Sequence, residues 1–260
     1  MKRTTCRKTI SGFLAFFLVS LGLMLKAGAQ NTPWPKAEAL FDSFTEKTGG
    51  QAAYHKIQNR RTISTMQLSV PPIAGEVTTY STKSGPYHVS ADLRAMGKAE
   101  YGSDGRTVWE INPVLGPQIK EGAERSRFLC LYGLDIPARW RLVFKKVECT
   151  GLETVEGKPA FKVVAVSLDD YPLTYYFDQA SGLIVKIEYP QETLAGQGSQ
   201  EVLLGDYRLA DGILFPHFQK RLEQGLEMTL IFKSIKHNVT LPENMFALPE
   251  AIIKIAGLGK

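Results

Sequence analysis

The four histidines are the residues best suited to bind a metal or transfer a proton. They are His55, His88, His217 and His237. None of them is spaced from another histidine, aspartate or glutamate as two ligands would be on one helix turn or on alternate strand positions. The sequence therefore predicts no metal site, and it contains no motif that would hold a cofactor.

Other potentially reactive residues lie in turns rather than in catalytic motifs. Asp169 and Asp170 precede Tyr171-Pro172 between two predicted strands, where aspartate is a common turn residue. Ser181 lacks the glycine two positions earlier that a nucleophile elbow requires. Gly196-Gln197-Gly198 lacks the third glycine of a dinucleotide-binding loop and leads into a predicted strand. These patterns predict a protein that is not an enzyme.

The N-terminus has the three parts of a secretory signal peptide. A basic start, Lys2 to Lys8, precedes an apolar run from Ile10 to Leu25, and Ala27-Gly28-Ala29 fits the small-residue pattern of a cleavage site. The apolar run is shorter than the roughly 20 residues of a membrane-spanning helix. We therefore predict a signal peptide over residues 1–29, a mature chain that begins at Gln30 and export to the periplasm, with an uncleaved anchor as the alternative.

The positive charge of the whole chain belongs to this signal peptide. The full sequence has 31 lysines and arginines against 26 acidic residues, a formal net charge of +5. Residues 1–29 contain five of the basic residues and no acidic one, which leaves 26 of each kind in residues 30–260. A nucleic-acid-binding domain would carry a basic surface of its own. The composition therefore predicts no nucleic-acid partner.

Two cysteines, Cys130 and Cys149, remain after removal of the signal peptide. An even number of cysteines in an oxidising compartment is typical of a disulfide. Closing a loop of this length would stabilise the fold by about 3 kcal/mol. Two buried thiols are the alternative, because the sequence does not give the distance between the two Cα atoms.

Hydrophobic periodicity predicts a mainly β protein with two helical segments. The first helix follows Pro35 and ends at Gly49-Gly50, and the second covers Gly122–Gly133. Five candidate strands lie between Thr62 and Ile111, and seven lie between Leu142 and Lys236. Long strands joined by tight turns form an antiparallel meander, which must curl to cover its apolar face. We predict an open, strongly curved half-barrel with an N-terminal helix and a mid-chain helical lid.

The apolar residues of these elements have two interpretations. In residues 175–190, for example, Val185 and Ile187 alternate with Lys186 and Glu188, as in a strand with one apolar face. Such residues either fill a core or line a cavity for an apolar ligand. The candidate cavity residues are Trp109, Phe128, Leu129, Trp140, Val185, Ile187, Val202, Leu204, Met228, Leu230 and Phe232.

Five short motifs follow one another behind the signal peptide. They are Gly49-Gly50 at the end of the first helix, DGRTVWEINPVLG at residues 104–116, YFDQASGLIVK at 176–186, DYRLADGILFP at 206–216 and HNVTLPENMFALP at 237–249. Each is ordinary hairpin or strand-end sequence. In this order, they resemble the LolA/LolB-like superfamily of periplasmic, outer-membrane lipoprotein-sorting proteins.

The resemblance implies a single domain over residues 30–260, with an open, curved antiparallel sheet of about eleven strands closed by helices. It also implies a hollow that shields the acyl chains of lipids or lipidated proteins, and transient contact with membrane or envelope proteins. Carriers of this superfamily hold the lid shut with an arginine inside the hollow. Arg61, Arg94 and Arg208 are the candidates for that role.

Two functions follow from these observations. The first is a non-enzymatic periplasmic carrier or binder of lipid or lipoprotein acyl chains. The alternative is an envelope sensor or interaction protein whose core is filled and whose partner is another protein. A contiguous apolar cavity of several hundred Å³ would favour the first function, and a filled core with an exposed strand edge would favour the second.

Overall fold

The computed structural model describes residues 34–69, 72–193, 196–223 and 226–257. The predicted signal peptide and the predicted mature N-terminus at Gln30 lie outside these described residues. Five α-helices are found within them: α1 (Ala37–Thr48), α2 (Gln51–Lys56), α3 (Gly122–Tyr132), α4 (Trp140–Val143) and α5 (Glu250–Ile255). Short 3-10 helices occupy Arg94–Met96 and Ile136–Arg139.

Thirteen β-strands make up the rest of the regular structure in the described residues. They are β1 (Asn59–Leu68), β2 (Ile73–Thr82), β3 (Tyr87–Asp92), β4 (Lys98–Ser103), β5 (Val108–Asn112), β6 (Gly116–Lys120), β7 (Phe144–Val155), β8 (Lys158–Ser167), β9 (Pro172–Asp178), β10 (Ile184–Thr193), β11 (Gly196–Ala210), β12 (Ile213–Glu223) and β13 (Leu226–His237). All of them belong to one sheet.

The sheet is antiparallel and open. Its strand order is β6-β5-β4-β3-β2-β1-β13-β12-β11-β10-β9-β8-β7, so that β1 pairs with β13 in the middle and β6 and β7 form the two edges. This confirms a mainly β, open antiparallel sheet. The prediction of about eleven strands is wrong, because the described residues contain thirteen.

The strand that the sequence did not predict is β6. It contains Gly116 and Pro117, two residues that usually end strands, and it pairs with β5 through Pro117 and Ile111. Proline is tolerated at the edge of a sheet because no outer strand needs its missing N–H group. A sequence that resembles a turn therefore forms an edge strand here.

Helix α1 packs its apolar face on the sheet. Phe41 and Phe44 are buried, and the Phe41 ring lies 5.1–5.3 Å from the rings of Tyr175 and Phe177 in β9. The helix ends at Gly49, where a Cβ atom would lie 2.8 Å from the Cδ1 atom of Ile213. The glycine is therefore required by the close approach of the helix end to β12.

The hairpin of β9 and β10 contains a β-bulge at Val185. Ile184 pairs with Phe177 and Lys186 pairs with Tyr176, which leaves Val185 without a partner in the register. A bulge of this kind shifts the alternation of side chains by one residue. Ile184 and Ile187 therefore share one face of the sheet, and the simple alternation predicted for residues 183–189 is wrong at Val185.

The chain joins the two edges of the sheet through a mid-chain segment, residues 122–143. This segment consists of α3, the 3-10 helix Ile136–Arg139 and α4, and it leads from edge strand β6 to edge strand β7. Helix α3 agrees with the predicted helix over Gly122–Gly133. One hydrophobic cluster unites α1, the end of this segment and strands β7–β11, and another unites α3 with β1–β5 and β13.

Candidate functional site

A cavity of about 420 Å³ lies between the sheet and the mid-chain segment. Ala99 and Tyr101 of β4 line it on one side, and Leu173 and Tyr175 of β9 line it on the other. Seven strands separate β4 from β9 in the sheet, so the sheet must curve around the cavity. Residues 130–138 of the mid-chain segment complete the wall. The volume falls in the range of about 300–1,000 Å³ that is usual for small-molecule sites.

The wall of the cavity is mainly apolar, and five of the predicted residues are part of it. These are Ile187, Leu204, Met228, Leu230 and Phe232. Met228, Leu230 and Phe232 come from alternate positions of β13, and the facing positions of β1 add Leu68 and Met66 opposite the first two. The predicted alternation of β13 therefore places its apolar face toward the cavity.

Four other predicted residues belong to the packed core rather than to the cavity wall. Val202 and Trp140 lie in the cluster around α1, where the indole of Trp140 stacks on the Phe41 ring at 5.7 Å. Phe128 and Leu129 of α3 lie in the other cluster.

The last two predicted residues lie on the other face of the sheet. Val185 packs with Tyr176 and Leu203 in a small cluster, as a consequence of the bulge described above. Trp109 is buried next to His88, with ring centroids 5.8 Å apart, whereas its neighbour Val108 faces the cluster around α3.

At one end of the cavity, Arg60 of β1 links the sheet to the mid-chain segment. Its Nη2 atom donates to Oδ1 of Asp135 at 2.5 Å, and both side chains are only 8% exposed. Its Nε atom donates to Nε2 of His237 at 2.8 Å, and the guanidinium lies 4.7 Å from the Phe215 ring. Arg60 is thus a buried cation with a carboxylate, an imidazole and an aromatic ring around it.

His237 is held in its neutral form by this environment. Burial, followed by the positive charge of Arg60, lowers its pKa to about 4, although the carboxylates of Asp135 and Asp211 oppose the shift. The neutral ring is also what the geometry requires, because Nε2 must be unprotonated to accept the hydrogen bond from Arg60.

Farther along the cavity, Tyr132 at the end of α3 forms a second link. Its carbonyl oxygen accepts a hydrogen bond of 2.9 Å from the Ser81 hydroxyl of β2. Its ring stacks on that of Tyr87 at a centroid distance of 5.6 Å and meets that of Tyr101 in a tilted arrangement at 4.8 Å. Its hydroxyl accepts a hydrogen bond of 3.3 Å from Arg221 of β12, which also lines the cavity.

The resemblance led us to consider Arg61, Arg94 and Arg208 as arginines inside the cavity, and none of the three lines it. Arg61 follows Arg60 in β1 and so points to the opposite face of the sheet. Arg94 is exposed in the 3-10 helix between β3 and β4, and Arg208 is exposed and pairs with Asp206 at 2.6 Å. Arg60 and Arg221 are the arginines that contact the mid-chain segment from inside the cavity.

The remaining predicted features are the two cysteines, metal ligands and membrane-spanning segments. Cys130 and Cys149 are free thiols in the structure, and burial raises the pKa of Cys130 to about 12; the disulfide between them stays a prediction. Across the described ranges, no three histidine, cysteine or acidic side chains are grouped as a metal site would require. No helix in the described part of the chain is long and apolar enough to cross a membrane.

No family model and no curated protein matches the sequence, whereas several solved structures match the fold. A LolA superfamily protein from Nitrosomonas europaea superposes with a TM-score of 0.58 and 12% identity, covering 83% of this chain and 99% of that one. A DUF1329 family protein from Desulfovibrio piger gives a TM-score of 0.56 and 14% identity, with coverage of 82% and 98%. The chain has a LolA-like fold.

An outer membrane lipoprotein-sorting protein domain from Vibrio parahaemolyticus has the same fold, with a TM-score of 0.53 and 13% identity over 81% of this chain and 97% of that one. At these identities the likeness extends to the fold and not to individual site residues. In this LolA-like fold, the links from Arg60 to Asp135 and from Arg221 to Tyr132 are properties of the present chain.

Proposed function

We propose that the protein is a non-enzymatic carrier or binder of lipid or lipoprotein acyl chains. It acts in the periplasm after residues 1–29 are removed. The observation that carries this proposal is the apolar cavity of about 420 Å³ between the sheet and the mid-chain segment. Burying each methylene of an acyl chain contributes about 0.8 kcal/mol, so that even part of one chain would bind usefully. Lipid or a lipidated protein is the expected partner.

The solved structures with the same fold support this proposal at the level of the fold. One of them is named for outer membrane lipoprotein sorting, and the sequence motifs of this chain resemble the same superfamily. The alternative, an envelope sensor or interaction protein, assumes a filled core. The cavity supports the lipid-binding function over that alternative, because its apolar wall would cost stability unless something apolar covered it.

We propose that the mid-chain segment acts as the lid of this cavity. In this proposal a ligand enters when residues 130–138 move away from the sheet, and that movement breaks the ion pair between Arg60 and Asp135 and the contacts of Tyr132. The other end of the segment is anchored, because the Trp140 indole stacks on Phe41 and donates to Asp42 at 3.1 Å. The lid would therefore open at its Arg60 end while Trp140 stays in place.

A matched pair of variants in β13 tests the proposal. Leu230 lines the cavity, whereas the next residue, Ile231, points to the opposite face and is 40% exposed. In Leu230→Arg the guanidinium can reach along the cavity toward solvent, so we expect a folded protein that no longer binds a fluorescent fatty-acyl probe. Ile231→Arg should bind the probe as the wild type does.

Circular dichroism and probe fluorescence separate the outcomes. Unfolding of Leu230→Arg would favour a packed core, because an uncompensated buried charge costs several kcal/mol. Failure of the wild type to bind any acyl probe would refute lipid binding. Native mass spectrometry of protein purified from the periplasm should find co-purified lipid with the wild type and with Ile231→Arg, but not with Leu230→Arg.

A further inference from the structure

Arg221 is a cation set into an apolar part of the cavity wall. It lies in β12, where its cross-strand partners are Val202 of β11 and Met228 of β13. Its side chain lines the cavity, and its Nε atom is shut off from solvent. A guanidinium stays protonated at every physiological pH, so this end of the cavity carries a permanent positive charge.

Within the described residues, this charge has no carboxylate partner. The Tyr132 hydroxyl accepts one hydrogen bond from Arg221 at 3.3 Å, and the Nε atom has no hydrogen-bond partner. Two buried cations differ from Arg221, because each has a carboxylate partner: Arg60 pairs with Asp135 at 2.5 Å, and Lys120 pairs with Glu110 at 2.9 Å. Arg60 and Lys120 therefore have carboxylate partners, whereas Arg221 has a neutral hydroxyl.

Arg221 is half-buried, and a cation that is partly withdrawn from solvent without a counter-ion is costly; such groups persist where a function uses them. The guanidinium fork matches a pair of oxygens on a carboxylate or a phosphate, and it binds either of them with two parallel hydrogen bonds. Next to it, Met228, Leu230 and Leu204 offer an apolar surface on the same cavity wall. Positive and apolar surfaces side by side fit a molecule that is itself anionic at one end and apolar along its length.

We propose that Arg221 binds the anionic head group of a single-chain acyl lipid, whose chain lies along the apolar wall of the cavity. This inference rests on the proposed function and names the ligand class for it. The shared chemistry is one anionic group with two accessible oxygens, and it has two sources: the carboxylate of a free fatty acid or the phosphate of a lysolipid. Lipids with a neutral head group are bound less well.

Displacement of a fluorescent acyl probe tests the inference with three ligands of equal chain length. Palmitate carries a carboxylate, 1-palmitoyl lysophosphatidate carries a phosphate and hexadecanol carries neither. We expect the wild type to bind the better of the two anionic ligands about 10- to 100-fold more tightly than hexadecanol, as for hydrogen bonds to a charged group. The preferred anion identifies the source of the head group.

Three variants assign the preference to the guanidinium. Arg221→Met keeps the length of the side chain and should bind all three ligands with similar affinity, without a loss for hexadecanol. Gln219→Leu changes a polar neighbour on the same cavity wall and should keep the preference for the anion. Tyr132→Phe removes the hydroxyl that contacts Arg221 but leaves the ring, and it too should keep the preference.

The outcomes distinguish this inference from the proposed function. If the wild type binds hexadecanol as tightly as the anions, or if Arg221→Met keeps the preference, head-group binding by Arg221 is refuted while acyl binding stands. If none of the three ligands binds, the proposed function fails. Thermal unfolding gives an independent check, in which Arg221→Met should be at least as stable as the wild type. If Arg221→Met and Tyr132→Phe both have a lower melting temperature than the wild type, Arg221 is a structural link and the inference is overturned.

Discussion

The two ends of the cavity each hold an arginine, and the surroundings of the two arginines differ. Arg60 is only 8% exposed at its side chain and has Asp135, His237 and the Phe215 ring around it. Arg221 contacts the Tyr132 hydroxyl and has no carboxylate among the described residues. The described residues provide a carboxylate counter-ion for Arg60 and none for Arg221.

This difference separates two roles that a cation inside an apolar cavity can have. A cation paired with a carboxylate on the mid-chain segment stabilises the closed position, because opening would leave both charges without partners. A cation that has no carboxylate partner on the lid contributes little to closing and retains its capacity to bind an anion. Under the two proposals above, the lid opens at the Arg60 end and the head group binds at the Arg221 end, and the following experiments test the first of these roles.

The largest effect is expected from Asp135→Asn. The variant leaves the buried Arg60 guanidinium without its counter-ion, which should lower the free energy of unfolding by about 3 kcal/mol. It should also speed the entry of a fluorescent acyl probe, because the closed position of the lid loses its ion pair. Chemical denaturation and stopped-flow fluorescence measure the two effects.

A double variant provides the control for this prediction. In Arg60→Met with Asp135→Leu, both charges are replaced by apolar groups, and much of the stability lost in Asp135→Asn should return. Probe entry should stay fast in the double variant, since the link between sheet and lid is still missing. Slow entry in both variants would show that the ion pair does not hold the lid.

A smaller effect is expected from pH, through His237. Its folded-state pKa of about 4 is below the value of about 6.5 in the unfolded chain, so the unfolded state binds more protons between these values. The free energy of unfolding should therefore be unaffected above pH 7 and fall by about 2 kcal/mol as the pH decreases to 5. Protonation also removes the acceptor for Nε of Arg60, so the lid should open more readily over the same range.

His237→Gln identifies the group responsible for the pH dependence. A glutamine does not titrate, so this variant should lose most of the decrease in stability between pH 7 and pH 5. His55→Gln changes an exposed histidine of α2 and should keep the wild-type profile. An unchanged profile in His237→Gln would mean that another group, such as His88, dominates the titration.

The fold could be predicted because its signals are local. Alternating apolar residues and glycine-containing turns define hairpins without knowledge of the whole sheet. Two details required information from neighbouring strands. β6 is a strand only because Ile111 and its neighbours offer an edge to a sequence with Gly116 and Pro117, and the bulge at Val185 follows from pairing with Phe177 and Tyr176.

Part of the cavity wall could also be predicted, where the pattern that defines it is local. Met228, Leu230 and Phe232 face the cavity because their strand alternates regularly, and the sequence shows that alternation. It does not show which face of a strand turns inward when both faces carry charged residues. Arg60 and Arg61 are adjacent, so a shift of one residue in register decides which of them enters the cavity.

The smallest effect is expected at the other end of the lid, from Asp42→Asn. Asp42 of α1 pairs with Arg141 through two hydrogen bonds of 2.6 and 2.8 Å, and the hydrogen bond from Arg141 lowers its pKa. Both side chains are largely exposed, so solvent screens the pair and its loss should cost less than about 1 kcal/mol. An asparagine can still accept the hydrogen bond from the Trp140 indole, and the stacking of Trp140 on Phe41 is untouched. We therefore expect Asp42→Asn to unfold almost as the wild type does and to admit the acyl probe at the wild-type rate. If it admits the probe as fast as Asp135→Asn, the lid opens at the Trp140 end, and the assignment of the moving end to Arg60 is wrong.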